Sequence, residues 1–278
     1  MRERSKSLRR IIFYVVVAAF VIIAGFPVYW MLTTAFGAQS DLYSGNQTPY
    51  PQLGNIGLLL ESLADLPLAR WMSNSFLIAG GTTIVSLCLG TLAGYALSRF
   101  RFVGRGLVSG AMLVTQVLPE ALILIPLYGI FVTLGLLNSL WGLVIANAGF
   151  ALPVAAFIIM SAVDGVPVEL EEAARIDNCP RLSILTSIIV PVISPSIAAA
   201  AVITFFSAWN EYLLAATFLL DQERWPASVG LASFIGQYET PLAGVMGAAL
   251  LFCIPAIVFF LIVQRRIVAG LTTGAVKG

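Results

Sequence analysis

The chain has 278 residues, of which 59% are hydrophobic and only 10% charged, with a formal net charge of +1 and no histidine. Its mean hydropathy of +0.95 lies far above that of soluble domains, and the near-neutral charge leaves no basic footprint for nucleic acid. Without histidine, and with Cys88, Cys179 and Cys253 isolated from one another, the chain has neither a disulfide framework nor a metal site, and no catalytic residue is expected.

Residues 1–10 hold five basic residues, Arg2, Arg4, Lys6, Arg9 and Arg10, and 22 uncharged residues follow from Ile11 to Leu32. That run is enough to cross about 30 Å of hydrocarbon. Ala35-Phe36-Gly37 could mimic a signal-peptidase site, but the run exceeds the roughly 7–15 residues of a signal core, so it is read as a membrane span. Residues 37–73 form a polar and amphipathic loop with one basic residue, Arg70. A second span is predicted from Phe76 to Ser98. It contains Gly90-Thr-Leu-Ala-Gly94, a spacing that permits close helix contact, although glycine is common in membrane helices generally.

The third span, from Leu107 to Phe131, carries Gln116, Pro119, Glu120 and Pro126 and is predicted to be irregular. A turn around Gly135 and Asn138 leads to a fourth span, from Leu140 to Val163. Ile184 to Leu220 is too long for one straight span, because 37 residues would reach about 55 Å as a helix. It is expected to break near Ser207, Trp209, Asn210 and Glu211. The sixth span runs from Leu242 to Val263. Thirteen of the fifteen basic residues fall on the side of the N-terminus and two, Arg70 and Arg224, on the other. This bias predicts cytoplasmic N- and C-termini.

Between spans four and five lies the main hydrophilic interruption, residues 164–187, with five of the fourteen acidic residues between Asp164 and Asp177. Pro167 suits a first helical position, and Glu169 and Glu171 complement the helix dipole. Leu170, Ala173 and Ala174 make a small apolar face, and Glu171 can pair with Arg175 at i,i+4 spacing. Glu172 has no partner within its helix. Asn178 suits a left-handed stop, and Pro180 prevents continuation. So little apolar area is not expected to hold a helix alone, so it should dock. An ordinary cytoplasmic loop would share many of these features.

The spacing Glu172-Ala173-Ala174, three residues, Asn178, nine residues, Ile188-x-Val190-Pro191 resembles the EAA signature of ATP-binding-cassette (ABC) importer permeases. Asn stands for the usual Gly and Val for the usual Leu. Asn74-Ser75-Phe76, the run from Ala93 to Phe102, Pro126-Leu127-Tyr128, the run from Gly135 to Asn138, the run from Phe206 to Tyr212 and the ending from Gly270 to Gly278 are similar to the carbohydrate permeases of the maltose type. The resemblance implies an all-α, six-span fold of the type I importer class, one permease domain over residues 1–278 with a core of about 74–266. It also implies a bacterial inner-membrane location, a second homologous permease, two ATPase subunits and an external solute-binding protein. In that family the loop couples to the ATPase, which marks Glu172, Ala173, Ala174, Asp177, Asn178 and Pro191. Neither lysine, Lys6 or Lys277, sits in a Gly-rich phosphate loop, so ATP and Mg belong to partner chains and no cofactor is expected on this one.

Candidate pathway residues are Gln116, Glu120, Asn147, Trp209, Asn210 and Glu211. A carboxylate at the depth of Glu120 costs roughly 2.5–3.5 kcal/mol by insertion scales for Asp, which points to function; a structural hydrogen bond to a neighbouring helix is the alternative. Gln116, one turn earlier, would share its face. Asn210 and Glu211 suit sugar hydroxyls, and Trp209 or Tyr212 a pyranose face, although the resemblance places most sugar contacts on the sibling subunit. Asn147 would serve packing equally well. The expected function is transport of a sugar or oligosaccharide, with membrane lipid around the chain. The rival readings are a proton-coupled carrier using Glu120 and Glu211, a membrane enzyme, or an importer of glycerol phosphate-type substrates. Secondary carriers usually show repeated halves, and no convincing repeat is present.

Overall fold

A computed structural model describes residues 2–64, 66–234 and 241–275, with side chains from residue 9 to residue 265. The match of the tail at residues 276–278 lies outside the described residues. Among the described residues all regular structure is helical. Among the described residues four helices are long and apolar enough to span a bilayer, and two bent helix pairs bring the number to six when each pair counts as one span.

The chain divides into two compact units. The first comprises α1 (Arg2–Ala35), α2 (Gln39–Ser44), α3 (Ile56–Ala64) and the start of α14 (Leu242–Ala275) up to Ile254. α1 is apolar on all sides from Ile11 to Phe26 and exposes that surface, as expected of a helix solvated by lipid rather than by water. Its last turn is tied down where Gln47 Nε2 donates to Thr33 and Thr34 Oγ1 at 3.3 and 3.0 Å. Within residues 37–73 the sequence suggested only a loop; α2 and α3 form there, and the next helix starts at Leu68, immediately after Pro67.

The second unit holds α4 (Leu68–Arg99), α5 (Arg105–Val117), α6 (Glu120–Thr133), α7 (Leu140–Asp164), α8 (Glu169–Ile176), α9 (Arg181–Ile184), α10 (Val190–Val192), α11 (Ser194–Trp209), α12 (Leu213–Phe218), α13 (Ala227–Ala232) and the rest of α14. α7 is its central post, packing most extensively on α11 and also on α5. Ser139 caps α7 by accepting a hydrogen bond from Gly142 N. The preceding turn uses left-handed backbone at Gly135 (φ 66°) and Asn138 (φ 53°), residues that tolerate it. α4 crosses α7 at the two small residues of its predicted pair. A Cβ on Gly94 would lie 2.7 Å from the Ala156 carbonyl oxygen, and one on Gly90 would lie 3.0 Å from Ala155 Cβ. The glycines therefore let the two backbones approach, the close contact that the spacing permitted.

Two of the predicted spans are not single straight helices. The third bends by 108° between α5 and α6, where Leu118 and Pro119 adopt extended backbone; Pro119 lacks an N–H and disfavours helical backbone in the residue before it. The fifth breaks in two places. The break after Trp209 is the expected one. A second, of 82° between residues 192 and 194, follows a π-helical turn at Leu185–Ile189 and sits between Pro191 and Pro195. Hydrophobicity alone hid this second break, because both sides of it are apolar.

The unit has two apolar clusters at opposite ends of α7. One gathers Ile78, Phe131, Leu143, Leu214 and Phe218. The other gathers Tyr95, Ile159, Val163, Ala174, Ile184 and Ile189. Between them α7 presents Asn147, Phe150 and Ala151 to a cavity.

Candidate functional site

The cavity measures about 370 Å³ and is built entirely within the second unit. α4 contributes Thr82, α6 Glu120, α7 Asn147, Phe150 and Ala151, α11 Ser207 and Ala208, and the break after α11 contributes Asn210, Glu211 and Tyr212. Glu120 is the first residue of α6, where the positive end of the helix dipole favours a carboxylate. Both oxygens of Glu211 accept backbone N–H groups, from Leu214 at 2.6 Å and Ala215 at 3.0 Å, so this side chain caps α12 while facing the cavity. A carboxylate has about four acceptor sites, so capping does not use all of those on Glu211. Asn210 Nδ2 returns to the Phe206 carbonyl at 2.9 Å.

Asn147 is only 5% exposed and Thr82 is fully buried, yet Asn147 Nδ2 and Thr82 Oγ1 have no hydrogen-bond partner among the described residues. Buried polar atoms in native proteins are almost always paired, so these two, one on α4 and one on α7, mark the polar seam that borders the cavity. No Lys or Arg lines it. It therefore offers donors and acceptors at fixed positions with no cation among the lining residues to hold an anion, a setting for hydroxyl groups.

Two placements differ from the sequence expectation. Gln116 does not continue the face of Glu120, because the chain bends between them. It donates to the Phe150 carbonyl at 3.1 Å and lines a neighbouring cavity that shares Phe150, Ala151 and Ser207 with the first. Trp209 is 1% exposed, stacked on Phe205 at 5.4 Å and met edge-on by Phe76 at 5.1 Å. Its ring faces are taken by the core, so only Tyr212 of the two aromatics reaches the cavity.

At the other end of the unit, α8 begins two residues later than Pro167 suggested. It ends as predicted: Asn178 is left-handed (φ 59°), Asn178 N donates to the Arg175 carbonyl and Cys179 N to the Ala174 carbonyl, both at 3.0 Å, the two bonds of a Schellman stop. The buried face is not the expected Leu170, Ala173 and Ala174. Glu171 and Ala174 point inward, while Leu170 and Ala173 are exposed. Glu171 is fully buried because α4 supplies its partners: Arg99 Nε at 2.5 Å and Tyr95 Oη at 2.8 Å. The predicted Arg175 contact exists but is longer, at 3.7 Å. Glu172 and Asp177 face outward with no ion pair among the described residues, beside Ile176, which is 82% exposed. Pro191 is also exposed, beyond the π turn. Arg99 and Tyr95 were missed at sequence level, since nothing in the local pattern of α4 separates Arg99 from its flanking basic neighbours.

The geometry, a lipid-facing helical protein with a polar cavity and an outward acidic helix, defines a membrane transport subunit. The family model of binding-protein-dependent transport system inner membrane components matches residues 86–272, and the chain belongs to that family. It is a permease subunit of an ABC importer and not an enzyme, which sets aside the secondary-carrier and membrane-enzyme readings. The inner membrane ABC transporter permease protein YcjP of Escherichia coli is 32% identical over 280 residues, covering 100% of each chain. The trehalose/maltose transport system permease protein MalG of Thermococcus litoralis is 31% identical over 276 residues, covering 99% of each. The crystal structure of a bacterial ABC transporter that imports the acidic polysaccharide alginate has the same fold, with a TM-score of 0.78 at 22% identity, covering 94% of this chain and 97% of the other.

Proposed function

We propose that this chain forms half of the pathway of an ATP-driven importer of a neutral sugar or oligosaccharide. The other half is a second permease of the same fold. Two ATPase subunits, which carry ATP and Mg, meet the cytoplasmic face, and an external binding protein delivers the sugar. The chain sits in a bacterial inner membrane with both termini in the cytoplasm, following its basic-residue bias. α8, with Glu172, Ala173, Asp177 and Ile176 outward, is the surface that meets the ATPase, and the stop at Asn178 holds its end.

The observation that carries the reading is the cavity lined by Glu120 and Glu211 together with Asn147 and Thr82, whose buried Nδ2 and Oγ1 have no partner among the described residues. The trehalose/maltose permease at 31% identity supports a sugar, and the two carboxylates with no facing cation disfavour a glycerol phosphate or another anion.

The test is uptake by the assembled importer in vesicles. Labelled neutral disaccharide should accumulate when ATP is enclosed with the ATPase and should not respond to a proton gradient. Glycerol phosphate should not compete, and Glu120→Gln should assemble normally while slowing uptake. Uptake driven by a proton gradient without ATP would overturn the proposal, as would strong competition by the anion.

A further inference from the structure

α8 has two covalent routes to the membrane-spanning helices, and both are interrupted. Upstream, Gly165 to Val168 form a turn between α7 and α8. Downstream come the Schellman stop, the short α9, the π turn and the 82° break before α11. Neither joint is continuous helix, so neither carries a push on α8 as a single rigid rod. The non-covalent route is stiff. Glu171, fully buried, is gripped by Arg99 Nε and Tyr95 Oη, and Arg99 Nη2 also donates to the Val166 carbonyl at 2.7 Å. Arg99 thus clamps both the turn that leads into α8 and the inner face of α8. Phe100 backs the cluster, edge-on to Tyr95 at 5.9 Å and beneath the Arg181 guanidinium at 4.8 Å. A carboxylate this deeply buried persists only with its full set of partners, so the geometry is fixed rather than exchangeable.

Tyr95 and Arg99 occupy the last turn of α4, an unbroken helix of 32 residues that also carries Thr82 on the cavity wall. Seventeen residues of helix separate Arg99 from Thr82, about 25 Å at 1.5 Å per residue. We propose that Glu171, held by Arg99 and Tyr95, is the positioning residue that makes α8 and α4 move as one body, so that displacement of α8 reaches the cavity through α4. This rests on reading α8 as the surface that meets the ATPase. Glu172 makes the contact, and its neighbour Glu171 transmits it.

The experiment uses the complete importer in vesicles, with uptake and ATP hydrolysis measured together and normalised to assembled complex. Glu171→Gln leaves the outward face of α8 intact, so the ATPase should co-purify and basal hydrolysis should persist. Sugar moved per ATP should fall about tenfold, the scale of losing one charged hydrogen-bonded partner. Adding Arg99→Gln to that variant should lower the ratio no further, because the two residues act as a pair. A merely structural role would instead reduce the amount of complex and leave sugar per ATP unchanged; that result, or no change at all, overturns the proposal. If Glu171→Gln does not assemble, Tyr95→Phe decides, since it removes one hydroxyl and keeps the ring: the ratio should still fall, and an unchanged ratio sinks the idea. Glu172→Lys runs alongside. If it keeps the ATPase bound, the docking reading itself is wrong; if it sheds the ATPase while Glu171→Gln keeps its ratio, only the coupling through α4 fails.

Discussion

Individual side chains in this permease serve two ends at once, and Glu211 is the clearest case. Its carboxylate closes the N-terminus of α12 through Leu214 and Ala215 and still faces the cavity. The two roles separate by substitution. Glu211→Ala removes the cap and should lower stability by about 1 kcal/mol. Glu211→Gln keeps a carbonyl acceptor and should cost less, and thermal unfolding in detergent reads the difference. Asn147 is the converse case. Its buried Nδ2 has no partner among the described residues, so Asn147→Leu should leave stability unchanged or raise it by about 1 kcal/mol while reducing uptake. A marked loss of stability would assign Asn147 to packing.

Among the helices, contact geometry decides what each element tolerates. Gly94 lies where a Cβ would strike the Ala156 carbonyl at 2.7 Å and Met160 N at 2.9 Å, both backbone atoms of α7 that no side-chain rotation can clear. Gly94→Ala should therefore cost about 1–3 kcal/mol through separation of α4 from α7, visible as a lowered unfolding temperature. Asn178 is the opposite kind of position. Its φ of 59° is left-handed and its side chain is exposed. Asn178→Gly should keep full stability and uptake, since glycine adopts the same backbone without steric cost. A loss of uptake with stability intact would show that the asparagine side chain itself meets a partner.

For the whole molecule, orientation governs which end of the second unit meets which partner. The orientation proposed from the basic-residue bias would put α8 and the Arg99 cluster inside and the turn around Gln222–Arg224 outside. A reporter fused after Ser98 or Asp177 should be cytoplasmic, and one at Asn46 or Glu223 external. The reverse pattern would put α8 on the wrong side of the membrane for any ATPase.

The number of apolar runs, the break after Trp209, the left-handed stop at Asn178 and the i,i+4 pair of Glu171 with Arg175 were all legible in the amino-acid sequence. Each follows from a local property: transfer of side chains to hydrocarbon, a run too long for one span interrupted by polar residues, the backbone freedom of one residue, or the spacing of charges along one helix. The two-fold break of the fifth span was half visible, because a bend between two apolar segments leaves no trace in hydropathy. What joined Glu120 to Glu211, turned Trp209 into the core and gave Glu171 its partners was beyond reach. Arg99 stands 72 residues from Glu171 and Tyr95 stands 76. Whether a carboxylate ends exposed beside Ile176 or buried against an arginine depends on which helix crosses it, and only the packing of α4 on α7 decides that.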